Sequence, residues 1–286
     1  MHLDHFKCTQ TDQKQHSQVD RVGLVMEVCR TGRIHFKGHF RLGNRKYCYP
    51  LTLSDHFSRY ILCCESLENT RAEGVFSAMA QVFTEYGLPD AIRSDNGTPF
   101  ASCGVLGLTK FGVWMLRHGV RLERIQPGHP EQNGRHERMH LTLKQDTTHP
   151  AADNFLQQQE SFDDFRETFN TRRPHEALNM QTPAKLYQPS KRAYEPHLEQ
   201  LKYPLHDLTL RVQKEGTIYM AEHSMRLYIS QALAHQHLGL RQVEQSAWLV
   251  NFMDYELGYI DTDSRQFLPV NTAETLAQGP KRVKKV

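Results

Sequence analysis

The sequence predicts an α/β layered domain followed by a small all-β barrel, and three observations carry that expectation. Alternating apolar runs over about 31–66 read as a three-stranded meander. Helical periodicities then follow, with the strand-like stretch LPDAIRSD among them, and this three-strand, helix, strand, helices order is that of packed α/β layers. Short alternating strands separated by turns fill about 206–270.

Each element has a local reason. GRIHFKGHF (32–40) sets Ile34 and Phe36 against Arg33 and Lys37, a half-buried strand with His35 in its middle. YCYPLTLS (47–54) and RYILCCES (59–66) are two more strands around the turn DHFS, and the glycine and asparagine of RLGNRK suit a hairpin turn. RAEGVFSAMAQVFTEYG places Phe76, Met79, Ala80 and Phe83 on one helical face, with Gly87 positioned to end the helix. LPDAIRSD reads as a short buried strand that delivers Asp95 at its end. Helical patterns return in GVWMLRHG, in NGRHERMHLTLKQ and in NFLQQQESFDDFRETFN, where Phe155, Phe162, Phe165 and Phe169 share a face. QPSKRAYEPHLEQLKYPLHD, punctuated by Pro189, Pro196 and Pro204, reads as a linker. The barrel strands are LTLRVQ, GTIYM, SMRLYI, AWLVNF and LGYID. The expected organisation is an irregular leader (1–30), a core (31–190), a linker (191–205), the barrel (206–270) and a basic tail (271–286).

Composition excludes some classes. With 286 residues, 38% hydrophobic and 23% charged, the chain reads as a soluble globular protein long enough for two domains. Apolar runs are far shorter than a bilayer span, and MHLDHFKCTQTDQKQH lacks the apolar block of a signal peptide, so a cytoplasmic protein with no membrane partner is expected. Six cysteines, all within the first 103 residues and without CxxC spacing, read as reduced and structural. A net charge of +3 permits nucleic-acid binding without demanding it. Arg121, Arg124, Arg135, Arg138 and Lys144 cluster in sequence around one acidic motif, while Trp114 and Trp248 read as core aromatics.

Two acidic residues are candidates for chemistry. Asp95, in RSDNGTPF, falls where a strand ends, the place where ligands gather in α/β sheets; the same letters also make a common turn. Glu137, in PGHPEQNGRHERMHLTLK, lies in the first turns of a helix, where a carboxylate also complements the helix dipole. The succession of DNG, QNGRHER and then NTRRPHEAL (170–178) is far more specific than any part of it.

Those stretches, with HFKGHF…YPLTLSDHFSRYIL and NTRRPHEALNMQTPAKLY, resemble the catalytic core of bacterial insertion-sequence transposases that share the retroviral-integrase-like, RNase H-like fold. The resemblance spans about residues 31–190, and the C-terminal strands are similar to the β-domain that follows this core. It implies a mixed sheet flanked by helices, a DDE site of two aspartates and a glutamate holding two Mg²⁺ ions, DNA as the partner (element ends and target) and a homo-oligomer. By position, Asp95 matches the second aspartate and Glu137 the glutamate, across an interval longer than the family pattern, consistent with an insertion around CGVLGLTK. Arg135, Arg138, Lys144, Arg172 and Arg173 are candidate contacts to DNA phosphates, and Arg172 and Arg173 read equally as a solvent-facing turn before Pro174.

The first strand departs from the pattern. Where the family carries DFKG this chain has HFKG, so His35 stands at the position of the first metal-binding aspartate. Mg²⁺ is a hard cation that takes oxygen ligands, and an imidazole supplies a nitrogen and no charge. Mg²⁺-dependent strand transfer is therefore expected to be severely reduced or absent. Three rescues stand open: Mn²⁺, which imidazole suits better, Asp55 in LSDHFSRY, which reads first as a turn residue, and Asp20 in the leader. The leader has no helix-turn-helix periodicity and its His2, His5, Cys8 and Cys29 lack zinc-site spacing, so a truncated or decayed transposase is expected. The competing reading is a DNA-binding remnant that inhibits intact relatives; an RNase H-type nuclease would need the same missing carboxylate.

Overall fold

β1 (Thr31–Phe36) pairs antiparallel with β3 (Tyr47–Asp55) on one side and parallel with β5 (Ala91–Ser94) on the other in the computed structural model. The structure describes residues 31–36, 38–94, 99–100, 106–124 and 134–270, with positions 35, 124 and 134–137 in backbone alone. β3 also pairs antiparallel with β2 (Phe40–Arg41) and with β4 (Ile61–Leu67), and β5 pairs parallel with β6 (Arg121–Arg124). The sheet therefore runs β4-β3-β1-β5-β6, with β2 beside β3. Three antiparallel strands continued by two parallel ones, with helices on both faces, form the RNase H-like arrangement.

The alternation along these strands decides what each face buries. Ile34, Leu51, Leu53 and Ile92 point to one face, where α1 (Ala72–Tyr86) and α2 (Lys110–Arg117) cover them with Val75, Met79, Phe83, Phe111 and Met115. Cys48, Ile61 and Cys64 serve the opposite face, where α3 (Gly134–Thr147) and α4 (Phe155–Thr171) add Met139, Leu143, Phe162, Phe165 and Phe169. Each fully buried side chain of this size contributes roughly 1.5–3 kcal/mol. The described cysteines, Cys48, Cys63 and Cys64, are free and buried. Burial pushes the Cys48 thiol up to about 12 and drives those of Cys63 and Cys64 higher still, so all three stay protonated.

α4 also closes an edge. β4 is the outer strand, and the helix presents polar side chains to its open backbone. The Asn170 amide accepts from Ile61 N at 2.8 Å and donates to Ile61 O at 3.0 Å, Gln159 accepts from Ser66 N at 2.9 Å and donates to Cys64 O at 2.9 Å, and Arg166 donates to Leu62 O. A helix thus satisfies an edge that would otherwise be a template for another strand.

After α4 come a 3₁₀ turn (Glu176–Leu178) and the one-turn α5 (Pro183–Leu186). Residues 187–207 contain no strand or helix, yet the chain is strapped down: Arg192 donates to Pro89 O, His118 O and Gly119 O, and Tyr203 Oη bridges His237 O and Met253 N.

The C-terminal strands are β7 (Leu208–Arg211), β8 (Thr217–Met220), β9 (Met225–Tyr228), β10 (His237–Gln242), β11 (Ala247–Phe252), β12 (Tyr255–Asp261) and β13 (Gln266–Pro269). They are antiparallel throughout, as the alternation predicts, but they do not make the expected closed barrel. β13-β12-β11-β10-β7 form one open sheet, and β8-β9 form a separate hairpin. The edges β7 and β13 are four residues long, and the hairpin meets the sheet through Ile218, Met220, Met225 and Leu227 in a shared core instead of through a backbone ladder. Val113 and Leu116 of α2 enter this second core while Phe111 and Met115 enter the first, so one short helix packs on both.

Two substitutions test this account. Gly87 ends α1 at φ +77°, and a Cβ there would lie 2.6 Å from Ser190 O and 2.8 Å from Arg192 O. Gly87→Ala is expected to lower stability by about 2 kcal/mol or more in urea unfolding, since the positive φ alone costs roughly 1–2 kcal/mol. Asn170→Ala strands the amide and carbonyl of Ile61 and is expected to cost about 2–4 kcal/mol in the same measurement.

Candidate active site

The register of β1 and β5 fixes where a site can lie. Ile34 is paired with Ser94, the last residue of β5, and His35 is the next residue of β1, itself paired with Thr52 of β3. Asp95 follows Ser94 in the chain and lies outside the described residues. This is the carboxyl end of two parallel strands, the region where ligand sites of open α/β sheets form.

α3 is tied to the same region by a contact that no run of local sequence points to. Thr52 Oγ1 lies 2.6 Å from His140 Nε2, with both residues buried. Thr52 is the cross-strand partner of His35, and His140 stands three residues after Glu137 in α3, a spacing that keeps two positions on one side of a helix. The backbone thus brings position 35 and the first turn of α3 toward one part of the sheet. The i, i+3 spacing of Glu137 and His140 is the one signal in the sequence that could have singled out His140. Among the described residues no three His, Cys, Asp or Glu side chains are grouped to hold a metal ion; Asp95 and the side chains of His35 and Glu137 are outside that set.

The cationic candidates do not form one patch. Arg138 and Arg173 line a common cavity between β1, α3 and the loop after α4. Lys144 faces a different hollow with His39, Phe40 and Leu141. Arg172 is exposed, 3.9 Å from Glu167, a surface pair worth about 0–1 kcal/mol. Arg173 also pairs with Asp146 at 3.0 Å, and the Arg135 side chain is outside the described set. Asp55 is a turn residue: Oδ2 accepts from Ser58 N at 2.7 Å and from Ser58 Oγ at 2.6 Å. Asp20, the leader and the tail lie outside the described residues. Trp248 is buried in the C-terminal core and Trp114 stacks against Phe83.

With this geometry in hand, comparison places the chain. The family described as Integrase core domain matches residues 29–130 and again 118–183, together more than half of the chain. A 39.2 kDa protein of insertion element IS476 from Xanthomonas euvesicatoria is 28% identical over 149 residues, covering 50% of this chain and 40% of that protein. The Pol polyprotein of Feline endogenous virus ECE1 is 27% identical over 49% of this chain and 12% of its own length, and the Gag-Pol polyprotein of Baboon endogenous virus (strain M7) is 31% identical over 45% and 7%. The chain spans less than half the length of these relatives. Among solved structures, the HTLV-2 integrase catalytic core domain in complex with magnesium is 14% identical, covering 56% of this chain and 97% of that one at a TM-score of 0.41.

Fold and matches together define a protein with a retroviral-integrase-like core. The chain belongs to the integrase core domain family, and its kinship includes an insertion element, as the motifs imply. Among the described residues no helix is long and apolar enough to cross a membrane.

The Thr52–His140 contact gives the test of this site. Thr52→Val keeps the shape and removes the hydroxyl; it is expected to cost about 1–3 kcal/mol in chemical denaturation, with faster amide exchange along α3 than along α1. Equal exchange in the two helices would show that the contact does not hold α3.

Proposed function

We propose that this chain is a DDE-type transposase core, built for metal-dependent cleavage and transfer of DNA strands, whose chemistry is severely impaired by His35. The observation that supports the reading is the β1–β5 register: His35 follows the Ile34–Ser94 pair on one strand as Asp95 follows it on the other. Glu137, in the first turn of α3, supplies the third position. In this reading Asp95 and Glu137 are the metal ligands, for Mg²⁺ or Mn²⁺. Such ions, when bound, act as Lewis acids on the scissile phosphate and activate water and then a 3′-hydroxyl.

The donor set decides the rate. One imidazole and two carboxylates carry one negative charge less than three carboxylates, and a pair of hard cations needs that charge and an oxygen in place of the nitrogen. A transition metal such as Mn²⁺ suits the set better. Losing one preorganised electrostatic group typically costs about 3–4 kcal/mol of barrier, or roughly 10²–10³ in rate.

A second reading is favoured by the same residue, because a core that keeps Arg138 and Arg173 while lacking the first carboxylate retains groups for DNA and loses one for chemistry. This remnant would bind DNA without metal, with steep salt dependence, and would inhibit intact relatives by joining their multimers.

The experiment is nicking and strand transfer on supercoiled plasmid with Mg²⁺ and then Mn²⁺, comparing the natural chain, His35→Asp, and His35→Asp with Glu137→Ala. Activity in His35→Asp at least about 100-fold above the natural chain, abolished by Glu137→Ala, is the expected result. Equal activity in the natural chain and His35→Asp would overturn the impairment. Silence in all variants, with metal-independent DNA binding intact, would favour the remnant.

A further inference from the structure

We infer that Thr52 and His140 are positioning residues for the proposed chemistry: the hydrogen bond between them fixes the rotation of α3 about its axis, and with it the place of position 137 against the strand that carries position 35. The inference rests on the reading of Glu137 as a metal ligand.

Apolar packing alone does not fix that rotation. Met139 and Leu143 of α3 share a core with Phe162, Phe165 and Phe169 of α4, and burial of this kind is non-directional. The polar ties at the far end of α3 run to α4 and the loop beyond it: Gln158 donates to Thr147 O at 3.0 Å, and Arg173 pairs with Asp146 at 3.0 Å. Neither tie reaches the sheet. The Thr52–His140 bond does, joining the half of α3 that holds position 137 to the β3 residue paired with position 35, at 2.6 Å.

The surroundings give that bond its weight. On the side toward α3, β3 reads Cys48, Pro50, Thr52 and Ser54 in alternation, all buried, and His140 also borders a hollow lined by Phe40, Pro50, Leu143 and Phe162. In so apolar a setting a hydroxyl or ring nitrogen separated from its partner is costly, so rotations of α3 that part the two are disfavoured. A hydroxyl both donates and accepts, so the bond forms with either tautomer of the ring. Position 137 lies about 4.5 Å along the helix axis from position 140 and about 60° around it, so a turn that moves one moves the other. A displacement of about 1 Å at a reacting group costs about 100-fold in rate.

The test takes His35→Asp, which restores a carboxylate to the first position, as its background. Strand transfer with Mg²⁺ is resolved into kcat and KM for DNA in Thr52→Val, Thr52→Ser, His140→Phe and the Thr52→Val, His140→Phe double variant, at a temperature where each is folded. Gly87→Ala, at the end of a helix on the opposite face of the sheet, serves as the destabilised control. In Thr52→Val and in His140→Phe, kcat is expected to fall about 10–100-fold with KM within about twofold of the background. Thr52→Ser, which keeps the hydroxyl, and Gly87→Ala are expected within about threefold of the background. The double variant is expected within about threefold of the slower single one, because the two side chains act as a unit. It leaves neither polar group without its partner, and so carries the test where a single variant fails to fold. An unchanged kcat in Thr52→Val, losses that multiply in the double variant, or an equal loss in Gly87→Ala would overturn the inference alone and leave the proposed function standing. Silence of the His35→Asp background itself would count against the proposed function, and the inference falls with it.

Discussion

The double pairing of β1, antiparallel to β3 and parallel to β5, is the constraint on which the positions of the candidate site depend, and apolar burial sets it. A slip of one residue would take Ile34 out of the apolar layer beneath α1 and α2 and put the arginine at position 33 in its place. With Leu51, Leu53 and Ile92 packed around Ile34, such a slip forfeits several contributions of roughly 1.5–3 kcal/mol against a total stability of only about 5–15 kcal/mol. The register of position 35 against the end of β5 is therefore independent of the residue that occupies position 35. The integrase-like sheet therefore forms with a histidine at that position as it would with another residue there.

The remaining strands need protection that the sheet cannot supply. β4 would expose a row of backbone groups, and α4 meets them with Asn170, Arg166 and Gln159 on its inward side while its phenylalanines fill the core. One helix thus serves both as apolar cover and as polar edge. Asn170 begins the NTRRPH stretch, so the residue that anchors α4 to β4 also starts the loop that carries Arg173 and His175 to the cavity. α2 has the corresponding double role between the two apolar cores.

What could be read from the sequence was what local periodicity determines. The RLGNRK hairpin, α1 with its Gly87 stop, and the phenylalanine face of α4 each rest on spacings within a few residues. β6 was missed because RLER has no apolar alternation; its parallel pairing with β5 is imposed by the neighbour. The barrel was over-read, since alternation shows that strands are antiparallel and half-buried but not whether the last one reaches the first. At the site, the positions of His35, Asp95 and Glu137 came from motif order. The contact of Thr52 with His140 spans a long sequence separation, and the i, i+3 spacing of Glu137 and His140 is its one local trace; the burial of Arg33 has none. Arg33 shows why: in GRIHF an arginine at an alternating position reads as solvent-facing, yet helices cover that face too.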